Sequence, residues 1–154
     1  MRRLFLTFFY SGLSPKAPGT MGSLLALVFG VLILKYLSLE TLFLSTVLLS
    51  LVSINIINAY EADGGEHDDK SIVIDEVVGL WLALVLSSTT WTQIILSLLF
   101  FRLFDIWKPS IIGKIDRNVK GGLGVVGDDL LAGVVAGLCS ASVYKLCSFL
   151  IILP

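Results

Sequence analysis

Two stretches without a single charged side chain, residues 17–34 and 41–60, constrain this chain more than anything else in it. A hydrocarbon core of about 30 Å takes about 20 helical residues, and both runs are of that order. With 56% hydrophobic residues and a mean hydropathy of +0.93, a chain of 154 residues is too apolar for a soluble domain and reads as an integral membrane protein. Helices are expected over residues 21–36 and 41–60, antiparallel because only a short polar turn with Lys35, Ser38 and Glu40 separates them. The net charge of −1 excludes no partner by itself, and nothing in the charge pattern calls for nucleic acid.

Residues 77–101 form the ambiguous piece, 25 uncharged positions that fit one long tilted helix or two shorter ones. Ser87, Ser88, Thr89 and Thr90 sit in its middle, followed by Trp91. Poor helix formers beside an interfacial aromatic predict a turn at the membrane surface, hence two helices, about 76–86 and 92–106. The first is too short to cross unless the bilayer thins or protein shields it. A last span is expected from Asp128 or Asp129 to about Ile152, with Lys145 snorkelling outward. Near the N-terminus, residues 4–13 are apolar but too few to cross, so a short interfacial helix is expected there. Arg2 and Arg3 before it imitate a signal peptide, but Pro15, Lys16 and Pro18 stand where a cleavage site belongs, so the segment is read as retained. Cys139 and Cys147 lack metal-type spacing and read as unpaired thiols. The expected fold is an all-α polytopic bundle of about five membrane helices in one domain, residues 1–154.

With five crossings, one side of the membrane collects every acid except Glu40 and every Lys and Arg except Lys35 and Lys145. That basic excess marks the side as cytoplasmic. There Asp75 and Glu76 would open one helix, Asp105 would close another, and Asp128 and Asp129 would open the last. The latter pair follows Gly121, Gly122 and Gly124, where the backbone is free to take positive φ and approach a ligand. Two readings fit the pair alone: a solvated helix cap, or a Mg²⁺ or Mn²⁺ site of hard oxygen donors. Converging carboxylates cannot all stay ionised without a cation, which makes metal binding the natural resolution for the group. Lys70, Arg102, Lys108 and Arg117 are candidates to hold phosphate oxygens, or else anchors for lipid headgroups. In the loop of residues 11–23, Thr20 and Ser23 could donate to a phosphate or simply cap a helix. Asp63, Asp68 and Asp116 read as solvated or ion-paired, and His67 as a loop residue near the headgroup.

Acids and bases clustered at a lipid interface suggest phosphoryl chemistry on a headgroup. A single His excludes a two-histidine phosphatase, neither Cys is followed by a nearby Arg, no Asp-x-Asp heads an apolar strand, and no phosphate-binding loop ends in Lys-Ser/Thr. Four stretches, SGLSPKAPGTMGS (11–23), SIVIDEVVG (71–79), FRLFDIWKP (101–109) and DRNVKGGLGVVGDDLLAG (116–133), occur in order and closely resemble the bacterial phosphatidylglycerophosphatase A family. The resemblance implies a Mg²⁺-dependent inner-membrane lipid phosphatase, active on the cytoplasmic face, that converts phosphatidylglycerophosphate to phosphatidylglycerol and inorganic phosphate. Its membrane partner is the phospholipid substrate, and no obligate protein partner is expected. Carried over by position, the motif acids are Asp75, Glu76, Asp105, Asp128 and Asp129, and the motif cations are Arg102, Lys108 and Arg117. Two departures are visible: Ser110, Ile111 and Ile112 stand where the family often has a second proline, and Asp69 and Lys70 form the lead-in to Ser71.

The expected mechanism has one or two Mg²⁺ ions on Asp75, Glu76, Asp128 and Asp129, with Arg102 and Lys108 neutralising phosphate and water attacking phosphorus in line. Asp105 would be a further ligand or the general base, with a covalent aspartyl-phosphate as the competing step. Two other classes compete with this reading. A membrane phosphotransferase needs an Asp-Gly-x-x-Ala-Arg signature, and Asp63-Gly64 is followed instead by Gly65 and Glu66. A small cation transporter needs acids in mid-span rather than at helix ends.

Overall fold

The computed structural model describes residues 1–67, 69–87 and 90–152, without the side chains of residues 151 and 152. Asp68, and Ser88 and Thr89 of the expected turn, lie outside the described residues. The described chain is all-helical: α1 (Arg2–Leu6), α2 (Pro18–Tyr36), α3 (Leu39–Ala62), α4 (Ile74–Ser87), α5 (Trp91–Trp107), α6 (Ile111–Asn118) and α7 (Gly122–Ile152), with a 3-10 turn at Ser11–Leu13.

Local chemistry sets most of these bounds. Pro18 opens α2 at the first helical position, where its missing N–H costs nothing. Ser38 caps α3, its Oγ accepting from the Thr41 amide, with Glu40 in the positive first turn. Thr90 caps α5 by accepting from the Gln93 amide, so the two-helix reading of residues 77–101 is what the chain adopts. The N-terminal helix is shorter than the apolar run suggested. It ends at Leu6, because Phe8, Phe9 and Tyr10 all take positive φ before the 3-10 turn.

Two corrections concern the polar stretch between α5 and α7. It contains a further helix, α6, and α7 begins at Gly122 rather than at Asp128 or Asp129. The Gly122 amide is capped from α3 by Asn58 Oδ1 at 2.7 Å, which fixes the start there. The acid pair therefore lies in the second turn, beyond the first-turn reach of the helix dipole. Of the three glycines before it only Gly121 has positive φ, and a Cβ on Gly122 would meet Ile54 O at 2.3 Å. That close approach serves packing against α3.

Three helices are long and apolar enough to cross a membrane: Pro18–Tyr36, Leu39–Ala62 and Gly122–Leu150. Their outward faces carry exposed Leu24, Leu32, Leu44, Leu48, Leu138 and Leu146, while buried Ser23, Thr46, Ser50, Ser53 and Ser140 lie between helices. Small polar groups inside and large apolar ones outside is the packing order of a bundle solvated by lipid. Thr46 and Ser50 satisfy their hydroxyls on the carbonyls one turn back, at 2.7 Å each.

At the centre is α4, 14 residues long and buried along most of its length, packed against α2, α3, α5 and α7. It is sheathed by protein, as its length requires. Its tightest neighbour is α7. A Cβ on Gly79 would lie 2.5 Å from Asp129 O, one on Gly133 2.1 Å from Gly79 O, and one on Gly137 2.8 Å from Ala83 O. The order of these contacts makes α4 and α7 parallel. Gly133→Ala should therefore cost about 1–3 kcal/mol, read as a lowered unfolding midpoint in detergent. Gly127→Ala, whose Cβ meets only Ile115 Cγ2 at 3.6 Å, should be neutral or slightly stabilising.

Candidate active site

At the end of the bundle where α4 and α7 begin and α5 finishes, a cavity of about 250 Å³ opens. The first turn of α4 supplies Asp75 and Glu76, and the second turn of α7 supplies Asp128 and Asp129. Arg102 and Asp105 come from one face of α5, one turn apart, and Lys108 caps that helix in the left-handed conformation. Ala17, Pro18 and Gly19 of the α2 entrance and Asp69, Lys70 and Ile72 of the loop before α4 complete the wall. A Cβ on Gly19 would lie 2.0 Å from Glu76 Oε1, so a larger residue there would have to displace the Glu76 carboxylate.

The charges are organised by two cations. Arg102 Nη1 donates to Asp105 at 2.5 Å, Glu76 at 3.2 Å and Ser23 Oγ at 3.3 Å. Lys108 Nζ donates to Asp128 at 2.6 Å and also to Asp116 of α6. Burial alone would lower the Lys108 pKa, but the hydrogen bonds to Asp116 and Asp128 outweigh it and leave the ammonium above the ordinary lysine value. The group is thus cationic at any neutral pH. The Ser71 amide, first among several contacts, holds the Asp69 carboxyl below its usual range, and the Tyr60 hydroxyl adds to the effect.

Two acids are left over. Asp75 and Asp129 are only 8% and 3% exposed, and Asp75 Oδ1 and Asp129 Oδ2 have no hydrogen-bond partner among the described residues. Buried carboxylate oxygens without donors call for a cation. Their chemistry suits a hard divalent ion, and Mg²⁺ characteristically takes one or two carboxylates and fills its remaining positions with water and phosphate oxygens. Among the described residues no three acidic, His or Cys side chains close around a single point, so the protein offers an open set of donors rather than a finished cage.

The structure thus brings Asp75, Glu76, Asp105, Asp128, Asp129, Arg102, Lys108 and Lys70 to one cavity. Ser23 reaches it only through Arg102. Thr20 is exposed on α2 and does not line it, and Arg117 lies on α6 with its Nε on Gly113 O at 2.9 Å. Asp116, read from the sequence as solvated or ion-paired, is ion-paired through Lys108. Asp69 is a wall residue that the sequence reading did not place in the site.

Residues 4–144 match the family model of phosphatidylglycerophosphatase A. The chain belongs to the phosphatidylglycerophosphatase A family. It is 40% identical over 129 residues to the phosphatidylglycerophosphatase A of Escherichia coli K12, covering 83% of this chain and 74% of that one. Against the Haemophilus influenzae phosphatidylglycerophosphatase A it is 39% identical over 129 residues, covering 83% and 79%. A Bacteroides thetaiotaomicron protein provisionally named a phosphatidylinositol-3-phosphatase is 41% identical over 135 residues, covering 83% and 84%. No solved structure matches. The chain is thus a phosphatidylglycerophosphatase A family enzyme whose four family motifs supply most of the cavity wall.

Lys108 ties α5, α6 and α7 together, so Lys108→Met should cost about 1–3 kcal/mol by stranding two carboxylates. The double variant Lys108→Met, Asp128→Asn should lose less than the sum of the two singles in detergent unfolding midpoints. Additive losses would mean that the pair is not coupled.

Proposed function

We propose that the chain is a Mg²⁺-dependent lipid phosphatase that hydrolyses the terminal phosphomonoester of phosphatidylglycerophosphate, giving phosphatidylglycerol and inorganic phosphate. The observation that carries this reading is the juxtaposition of the orphaned oxygens of Asp75 and Asp129 with Arg102 and Lys108 in one cavity at the end of a membrane bundle. The names of the Escherichia coli and Haemophilus influenzae relatives support the choice of headgroup.

In this mechanism the phosphomonoester enters with its oxygens toward Arg102 and Lys108, which exchange part of their carboxylate contacts for phosphate. Asp75, Glu76, Asp128 and Asp129 would hold Mg²⁺, which when bound supplies Lewis-acid stabilisation of charge on the phosphoryl oxygens. Asp105 has one oxygen engaged by Arg102. Its other oxygen takes a proton from the attacking water as the new O–P bond forms. The bond from phosphorus to the headgroup oxygen breaks, and that oxygen leaves as the alcohol with the proton that Asp105 took from the water, which returns the carboxylate to its starting state. The concentration of Arg2, Arg3, Lys16, Lys70, Lys108, Lys114 and Lys120 in segments assigned to one side supports placing this end at the cytoplasmic face of a bacterial inner membrane.

The test is phosphate release from phosphatidylglycerophosphate by the full chain in detergent. Release should require Mg²⁺, stop with a chelator and return on adding the metal back. Asp129→Asn should lower the rate at least about 100-fold. Equal rates for variant and parent would sink the site assignment. Release from phosphatidylinositol 3-phosphate alone would move the headgroup to the one in the Bacteroides relative's name.

A further inference from the structure

A second polar cavity, about 380 Å³, adjoins the first and shares Asp69 and Ile72 with it. Its outer wall is the N-terminal segment, from which Arg2, Arg3 and Thr7 contribute. Asp69 stands between the two spaces with both oxygens engaged, one by the Tyr60 hydroxyl at 2.7 Å and one by the Ser71 amide at 2.9 Å. Arg2 is committed to Asp63 and to Ala59 O. The Arg3 side chain is exposed and makes no hydrogen bond or ion pair among the described residues, and its charge acts on the Asp69 carboxyl and the Tyr60 hydroxyl across the same cavity. On the other side of the same segment, Leu4, Phe5 and Phe8 line an apolar cavity of about 400 Å³ with Leu49 and Ile74. A guanidinium with its hydrogen-bond donors open, a polar space leading to the phosphomonoester cavity and an apolar space behind it match the layout of one lipid.

We propose that the second cavity binds the phosphodiester of the lipid substrate, with Arg3 as the cation that meets it and the acyl chains running over the Leu4, Phe5 and Phe8 side. The inference rests on reading the adjoining cavity as the phosphomonoester site. It makes the substrate class a diester-linked headgroup that carries a second, terminal phosphate. Phosphatidic acid, with its only phosphate directly on diacylglycerol, would fill one subsite and leave the other empty. Arg suits a diester because its fork can meet both non-bridging oxygens.

The test separates this subsite from turnover. Short-chain phosphatidylglycerol, which has the diester and no monoester, is titrated into the detergent-solubilised full chain, and the unfolding midpoint is followed. Inorganic phosphate and a diacylglycerol of equal chain length are the comparison ligands. Arg3→Gln should weaken the apparent affinity for phosphatidylglycerol about five- to tenfold and leave that for inorganic phosphate unchanged, and Arg3→Lys should recover part of the loss. Unchanged affinity for phosphatidylglycerol in Arg3→Gln, or equal loss for phosphate and diacylglycerol, overturns the subsite. Failure of the parent protein to release phosphate from phosphatidylglycerophosphate overturns the proposed activity instead, since this binding measurement does not depend on catalysis.

Discussion

The close, parallel contact of α4 with α7 is the constraint on which everything else depends. Gly79 and Gly133 let the two backbones approach to a distance that a single Cβ would prevent. One turn before each glycine stands an acid, Asp75 before Gly79 and Asp129 before Gly133. Because residues four apart share a helix face, the packing that joins the helices also turns both carboxylates toward one place. Apolar burial here serves an electrostatic end.

Such an arrangement is costly in a bundle with little water. Carboxylates buried near one another lose solvation and repel, and a protein keeps them only with compensating cations. This one divides the task. Arg102 compensates Glu76 and Asp105, and Lys108 compensates Asp128 from a helix cap that Asp116 helps to hold. Asp75 and Asp129 each retain an oxygen with no donor among the described residues. Both oxygens belong to residues that line the cavity shared with Arg102 and Lys108, an arrangement expected of a binding site rather than of a structural ion-pair network.

Much of this was legible in the chain. The uncharged runs located α2 and α3 to within a few residues, and the Ser-Ser-Thr-Thr cluster before Trp91 separated α4 from α5. That break puts Asp75 and Asp128 at the same end, without which no common cavity exists. The start of α7 is not legible locally, because the Gly-Gly-Leu-Gly stretch has low helix propensity, while the Asn58 side chain that caps it lies 64 residues upstream. A further signal stands in the sequence: Asp-x-x-x-Gly-x-x-x-Ala from Asp75 and Asp-x-x-x-Gly-x-x-x-Gly from Asp129 mark the two helix faces that meet.

By itself the sequence determined the long helices α2, α3, α4, α5 and α7 and their order, the family and the inventory of charged groups, because hydropathy, capping and motif spacing are local properties. The short α6, inside a polar stretch, carried no such signal. The tertiary structure alone decided which charges pair. It set Lys108 between Asp116 and Asp128, left Thr20 and Arg117 outside the cavity, and opened a second polar space beside Arg3. Pairing depends on distances of a few ångströms between residues far apart in the chain, and those distances come into being only when the helices pack.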